Sequence, residues 1–144
     1  MPTRRSSARW EGGLKGGKGT FKGESGAIGG QYSFSSRFES GVGSNPEELL
    51  AAAEAACFSM ALSGNLEKNG TPPTSIETDA ACTVEPVDGA SKITKIHVDT
   101  KVEAAGIDQA KLDEIAKETV AGCPVSKALH GNVELTVTAT LSGG

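Results

Sequence analysis

The chain has no block of basic residues, no long apolar run free of charge, no internal repeat and almost no histidine. Each absence removes a class of function. Fourteen Lys and Arg stand against 18 Asp and Glu, a net charge of −4 over 144 residues. Nothing in that balance marks the chain for nucleic acid or for an anionic membrane surface. The longest apolar stretch, within "NPEELLAAAEAACFSMAL", is interrupted by Glu54. A membrane span needs about 20 apolar residues, so a soluble protein is expected. The opening "MPTRRSSARW" carries arginines with no apolar run behind them, so no signal peptide is read there. The expected location is cytoplasmic. The two histidines, His97 and His130, stand in no ligand spacing with cysteine, and neither a metal nor a cofactor is expected. There is no CxxC, no Walker motif, and no GxGxxG followed by an acidic residue. Three cysteines, an odd number in no framework spacing, suit a chain whose thiols stay available for chemistry.

At this length one domain over residues 1–144 is expected, large enough to bury a core. The first 45 residues are Gly-rich, with short β-like runs at "SARWEG", "KGTFKG" and "QYSFSSRFES". In the last of these, Tyr32, Phe34 and Phe38 fall on one face of a strand and Arg37 on the other, which reads as part of an antiparallel meander. Asn45 and Pro46 have the types favoured at the N-cap and first position of a helix, and Glu47 and Glu48 suit its positive end. The helix is expected to run to about Lys68, where Asn69-Gly70 and two prolines close it. Strands follow at Ile76–Val84 and Ile96–Glu103, joined by the hairpin signal "VDGA". A second helix starts near Asp108, with Leu112, Ile115 and Ala116 on one stripe, and ends at Gly122. Cys123-Pro124 opens a short turn, and a final strand alternates from Val133 to Leu141. This order reads as α+β with an antiparallel sheet.

The cysteines carry the chemistry, and each has a plain alternative. Cys82 lies on the apolar face of a strand and reads as a small buried hydrophobe. Cys57 sits in a helix apolar almost all round, which must be enclosed by its own sheet or by a partner chain. It is about ten residues from the helix start, beyond the reach of the dipole, so a cation must be brought to it if it acts as a thiolate. Glu54, one turn back, works the wrong way if it points at the sulfur. Core filling and catalysis both remain open for Cys57 on these grounds. Cys123, before a proline, should cap the next turn with its sulfur facing free N–H groups, which favours a thiolate. The alternative is that the helix break needs only Gly122 and Pro124. A thiol in a closed pocket and one at a helix start suggest a reversible disulfide.

"RFE", "NPEELLAAAEAACFSMAL" and "AGCPVSKAL", in this order, closely resemble the osmotically inducible protein C (OsmC) family of organic hydroperoxide reductases. "ARWEGGLKGGKGT" and "ESGAI" extend the resemblance to the N-terminus. It implies a thiol peroxidase unrelated in fold to the thioredoxin-like enzymes, with an antiparallel sheet wrapped on a long central helix in an intertwined homodimer. By resemblance, Cys57 of "AACF" attacks the peroxide and becomes a sulfenic acid. Cys123 of "GCPVS" condenses with it to a disulfide, which an external dithiol reduces. Arg37 of "RFE" and Glu47 of "NPEEL" match the family's thiolate-activating pair. The related Ohr branch takes its arginine from an earlier position, so "RFE" favours the OsmC branch, and Glu54 matches no functional position of the family.

Ten helical residues separate Glu47 from Cys57 by roughly 15 Å, and Glu47 lies roughly 80° around the helix from it. Either a long arginine bridges that gap, or the glutamate comes from a second copy. The resemblance favours the second, with Arg37 and Glu47 serving the Cys57 of the other subunit. Apolar residues such as Phe58 and Met60 would suit an organic hydroperoxide better than hydrogen peroxide. The rivals are a thiol redox sensor with slow turnover and a non-enzymatic small-molecule-binding or lipid-binding domain.

Overall fold

The computed structural model describes residues 1–142. They form a mixed α+β fold of two compact units, residues 1–49 and residues from 50 onward.

The first unit is a three-stranded antiparallel sheet of β1 (Ser6–Glu11), β2 (Lys18–Gly23) and β3 (Gly29–Tyr32), in that order. β1 and β2 are two of the short runs read from the sequence, and the ring of Tyr32 on β3 lies near those of Trp10 and Phe21. The third run departs from expectation. Phe34–Phe38 is a one-turn helix, α1, and not the continuation of a strand. Ser33 and Ser36 form a reciprocal capping box: the Ser36 N–H donates to Ser33 Oγ at 3.1 Å, and the Ser33 N–H to Ser36 Oγ at 2.8 Å. Phe34 and Phe38 still share a face, but as an i, i+4 pair with ring centroids 5.1 Å apart.

Helix α2 (Pro46–Lys68) begins where the cap signals place it. The Glu48 N–H donates to Asn45 Oδ1 at 2.8 Å, and the Asn45 side-chain amide donates to the Ser36 carbonyl of α1 at 3.0 Å. At the far end, Gly70 takes φ +80°, a conformation glycine adopts without strain. This lets the Thr71 N–H reach Leu66 O and the Gly70 N–H reach Glu67 O, both at 3.0 Å, closing the helix. By length and composition α2 is apolar enough to cross a membrane, yet only 22% of its apolar window is buried within this chain.

The second unit contains β4 (Pro73–Val87), β5 (Ala90–Ala104), α3 (Gln109–Gly122), α4 (Pro124–Leu129) and β6 (Glu134–Leu141). Asp88 and Gly89 both take positive φ, 51° and 81°, the backbone of a tight two-residue hairpin between β4 and β5. Both strands run longer than the alternation predicts, but their faces agree with it: Ile96, Val98 and Val102 are fully buried. The antiparallel reading of this sheet is corrected in one pairing. β6 joins β5 in parallel, Ile96 opposite Leu135 and Val98 opposite Val137. The chain between them passes through α3 and α4, and such a helical crossover is what parallel pairing requires.

The core follows from these faces. Phe58, Leu62 and Leu66, one turn apart along α2, pack in one cluster with Ile96, Val98 and Val102 of β5 and Leu112 and Ile115 of α3. Polar contacts fix the register: Ser59 Oγ donates to Thr78 Oγ1 at 2.8 Å, and the Asn65 amide donates to Thr119 Oγ1 at 2.9 Å.

Candidate active site

Within the first unit, α1 turns Arg37 toward the first turn of α2. Its Nε donates to Glu47 Oε1 at 3.0 Å and its NH2 group to the same oxygen at 2.8 Å, with Oε2 3.3 Å from Nε. The guanidinium also lies 5.0 Å from the Phe38 ring centroid, a cation–π contact. The Arg37 side chain is 36% exposed and that of Glu47 only 7%. The carboxylate is therefore the fixed partner, and the guanidinium keeps one side open to interact elsewhere. The ion pair is thus built from two residues singled out in the sequence. The helix supplies the geometry: one turn in place of a strand brings the Arg37 stem to the α2 N-terminus.

Within the second unit, α2 and the α3–α4 junction bring two thiols together. Cys57 is half-buried and Cys123 is buried, both reduced, and the Cys57 side chain lies close enough to act on the Cys123 thiol. Cys123 closes α3 and caps α4 at once, in extended backbone at φ −67°, ψ 149°. As expected, its sulfur faces the start of the next helix, accepting the Ser126 N–H at 3.4 Å. The electrostatic half of that expectation is overturned. Burial pushes the Cys123 thiol above its ordinary range, although the Ser126 hydroxyl and N–H act against this. The Cys57 side chain and the charge of Glu54 push it further up. One short helix of free N–H groups does not offset the loss of water, so Cys123 holds its proton.

Glu54 is the residue that the sequence reading left without a role. It is fully buried, and its Oε1 accepts the Ser126 hydroxyl at 2.6 Å and the Cys123 thiol at 3.7 Å. Ser126 Oγ and Cys123 Sγ are 3.0 Å apart, so the three side chains form a closed triangle. A signal for Glu54 was present: it precedes Cys57 by one helical turn, and residues three apart share a helix face. Ser126, three residues after the capping Cys123, had the spacing of a capping partner.

Two other expectations are sorted by burial. Cys82 is half-buried on β4 and packs against the core cluster, as a small hydrophobe would. Phe58, expected as a wall of a substrate pocket, is fully buried in the core and is unavailable for that, whereas Met60 is exposed.

Comparison with known proteins identifies the family of the chain. Residues 39–138 match the family model described as OsmC-like protein. The chain is 47% identical over 133 residues to the peroxiredoxin OsmC of Escherichia coli K12, covering 92% of this chain and 93% of that one. It is 34% identical over 94 residues to the organic hydroperoxide resistance protein OhrA of Bacillus subtilis, covering 65% and 64% of the two chains. The crystal structure of the organic hydroperoxide resistance protein OhrB of Bacillus subtilis superposes with a TM-score of 0.74 at 26% identity, over 96% of this chain and 98% of that one. The chain belongs to the OsmC-like protein family.

Proposed function

We infer that the protein is a thiol peroxidase that reduces organic hydroperoxides, and hydrogen peroxide less well. The observation that carries this reading is the contact between two reduced thiols of unequal exposure. An oxidant arriving from solvent meets the half-buried Cys57 before the buried Cys123. Cys57 attacks the peroxide oxygen, the O–O bond breaks, the alcohol departs, and a sulfenic acid is left on Cys57. Cys123 then displaces hydroxide from that sulfur and forms the disulfide, with water as product. An external dithiol restores both thiols by exchange. The names of the relatives, a peroxiredoxin and organic hydroperoxide resistance proteins, support a peroxide substrate.

Arg37 is assigned the task of stabilising the Cys57 thiolate and the charge on the departing alkoxide, with Glu47 aiming its guanidinium. The uncovered apolar surface of α2, with Met60 exposed on it, calls for a second copy as its cover. A homodimer with two composite sites follows, in which Arg37 and Glu47 serve the Cys57 of the partner. Work in the cytoplasm fits thiols that must be returned to the reduced state after each turnover.

Stopped-flow consumption of tert-butyl hydroperoxide with excess dithiol tests the activity. Rapid multiple turnover that disappears in Cys57→Ser is expected. One slow oxidation would favour a redox sensor, and indifference to Cys57→Ser a binding module. Mixing Arg37→Ala and Cys57→Ser subunits tests the composite site. Each variant alone should be impaired, and the mixed dimer should regain one working site; no recovery would place Arg37 and Cys57 of one chain in the same site.

A further inference from the structure

Glu54 is a fully buried carboxylate with only one of its oxygens satisfied. Oε1 holds the Ser126 hydroxyl and the Cys123 thiol, while Oε2 is buried without a hydrogen-bond partner among the described residues. Burying a carboxylate without full pairing is costly, and a glutamine or a hydrophobe would fill the site more cheaply. An acceptor aimed at a thiol that must give up a proton has a use that offsets this cost.

We propose that Glu54 is the general base of disulfide formation, taking the Cys123 proton through the Ser126 hydroxyl. The proposal rests on the peroxidase reading and assigns a residue to its second step. The path is laid out in the structure: Cys123 Sγ to Ser126 Oγ is 3.0 Å, and Ser126 Oγ donates to Glu54 Oε1 at 2.6 Å. Both hops are shorter than the direct thiol–carboxylate distance of 3.7 Å. As the Cys123 sulfur attacks the Cys57 sulfenic acid, the S–S bond forms and the Cys57 S–O bond breaks. The thiol proton passes to Ser126, and the Ser126 proton passes to Glu54. The hydroxide released from Cys57 takes up a proton equivalent to this one and leaves as water, so the step balances without another reactant. In the reverse sense, a dithiol that attacks the Cys57 sulfur expels Cys123, and Glu54 returns the proton to it. A thiol held protonated by burial needs such a base, because only its thiolate is nucleophilic.

The test follows the fully reduced protein after one equivalent of tert-butyl hydroperoxide, quenched over time, with sulfenic acid and disulfide separated by mass spectrometry. In the wild type the sulfenic acid should convert rapidly to the disulfide. In Glu54→Gln and in Ser126→Ala it should accumulate, with conversion slowed by about 10²–10⁴-fold, the range of general base catalysis. The titratable groups placed against Cys123 are Glu54 and Cys57. In Glu54→Gln, therefore, conversion should recover as pH rises and hydroxide ionises Cys123, a response that a purely structural role does not give. Conversion at the wild-type rate in Glu54→Gln overturns the proposal. If Glu54→Gln does not fold, wild-type conversion in Ser126→Ala overturns it equally. A wild type that forms neither sulfenic acid nor disulfide overturns the peroxidase reading itself, and the proposal with it.

Discussion

The ion pair of Arg37 and Glu47 predicts an asymmetry that can be measured. Glu47 is the buried member, with a side chain 7% exposed against 36% for Arg37. Arg37→Met leaves a buried carboxylate without its cation, a change that costs up to about 3 kcal/mol once water near the open side of the pair is allowed for. Glu47→Gln leaves a guanidinium that water already reaches, and should cost about 1 kcal/mol. The two strong hydrogen bonds of the pair, screened by the same exposure, set a coupling of about 1–2 kcal/mol in a double-mutant cycle. Urea unfolding of the four proteins supplies the numbers, at one fixed protein concentration because association shifts the midpoint. Arg37→Met should be the more costly single change. Equal losses with a coupling near zero would refute the view that the carboxylate holds the arginine in place.

Other consequences are independent of this pair. Phe58→Ala removes a fully buried ring from the core and should lower stability by about 3–5 kcal/mol in denaturant unfolding, whereas a loss under about 1 kcal/mol would contradict its placement. Cys123 has its thiol pKa raised by burial, so the folded state keeps the proton after the unfolded chain has released it. Its contribution is complete below the ordinary thiol value of about 8.5 and is lost as pH rises through the higher folded value. The reduced protein should accordingly lose stability on that alkaline limb, and Cys123→Ala should flatten it; an unchanged slope would contradict the burial argument. Cys82→Ser should lower the unfolding midpoint yet keep peroxide turnover, and loss of disulfide formation in that variant would mean that Cys82 is the resolving thiol.

What was legible in the sequence was local. Asn45-Pro46, Asp88-Gly89, Asp108 and Cys123-Pro124 each declare a cap or a turn within a few residues, and the structure places all of them there. The stretch from Tyr32 to Phe38 was misread because its aromatic spacing fits both a strand face and, for Phe34 and Phe38, a helical turn. The serine pair of the capping box was the arbiter. The parallel pairing of β6 with β5 depends on where the α3–α4 crossover returns the chain, which no local pattern encodes. The triangle of Glu54, Cys123 and Ser126 was hidden for the same reason, since it joins a helix to a turn far along the chain. Resemblance implied roles for Cys57 and Cys123 but passed over Glu54, and burial raises the Cys123 thiol pKa where its capping position suggested the opposite.

The central claim is that Cys57 and Cys123 form one redox couple driven by hydroperoxide. Peptide mapping of the reduced protein after one equivalent of tert-butyl hydroperoxide tests it most directly. The account predicts a single disulfide-linked peptide pair containing Cys57 and Cys123, absent from Cys57→Ser and from Cys123→Ser, and lost again on adding dithiol. Oxidation that stops at Cys57 without engaging Cys123, or that joins Cys82 to either, would contradict it.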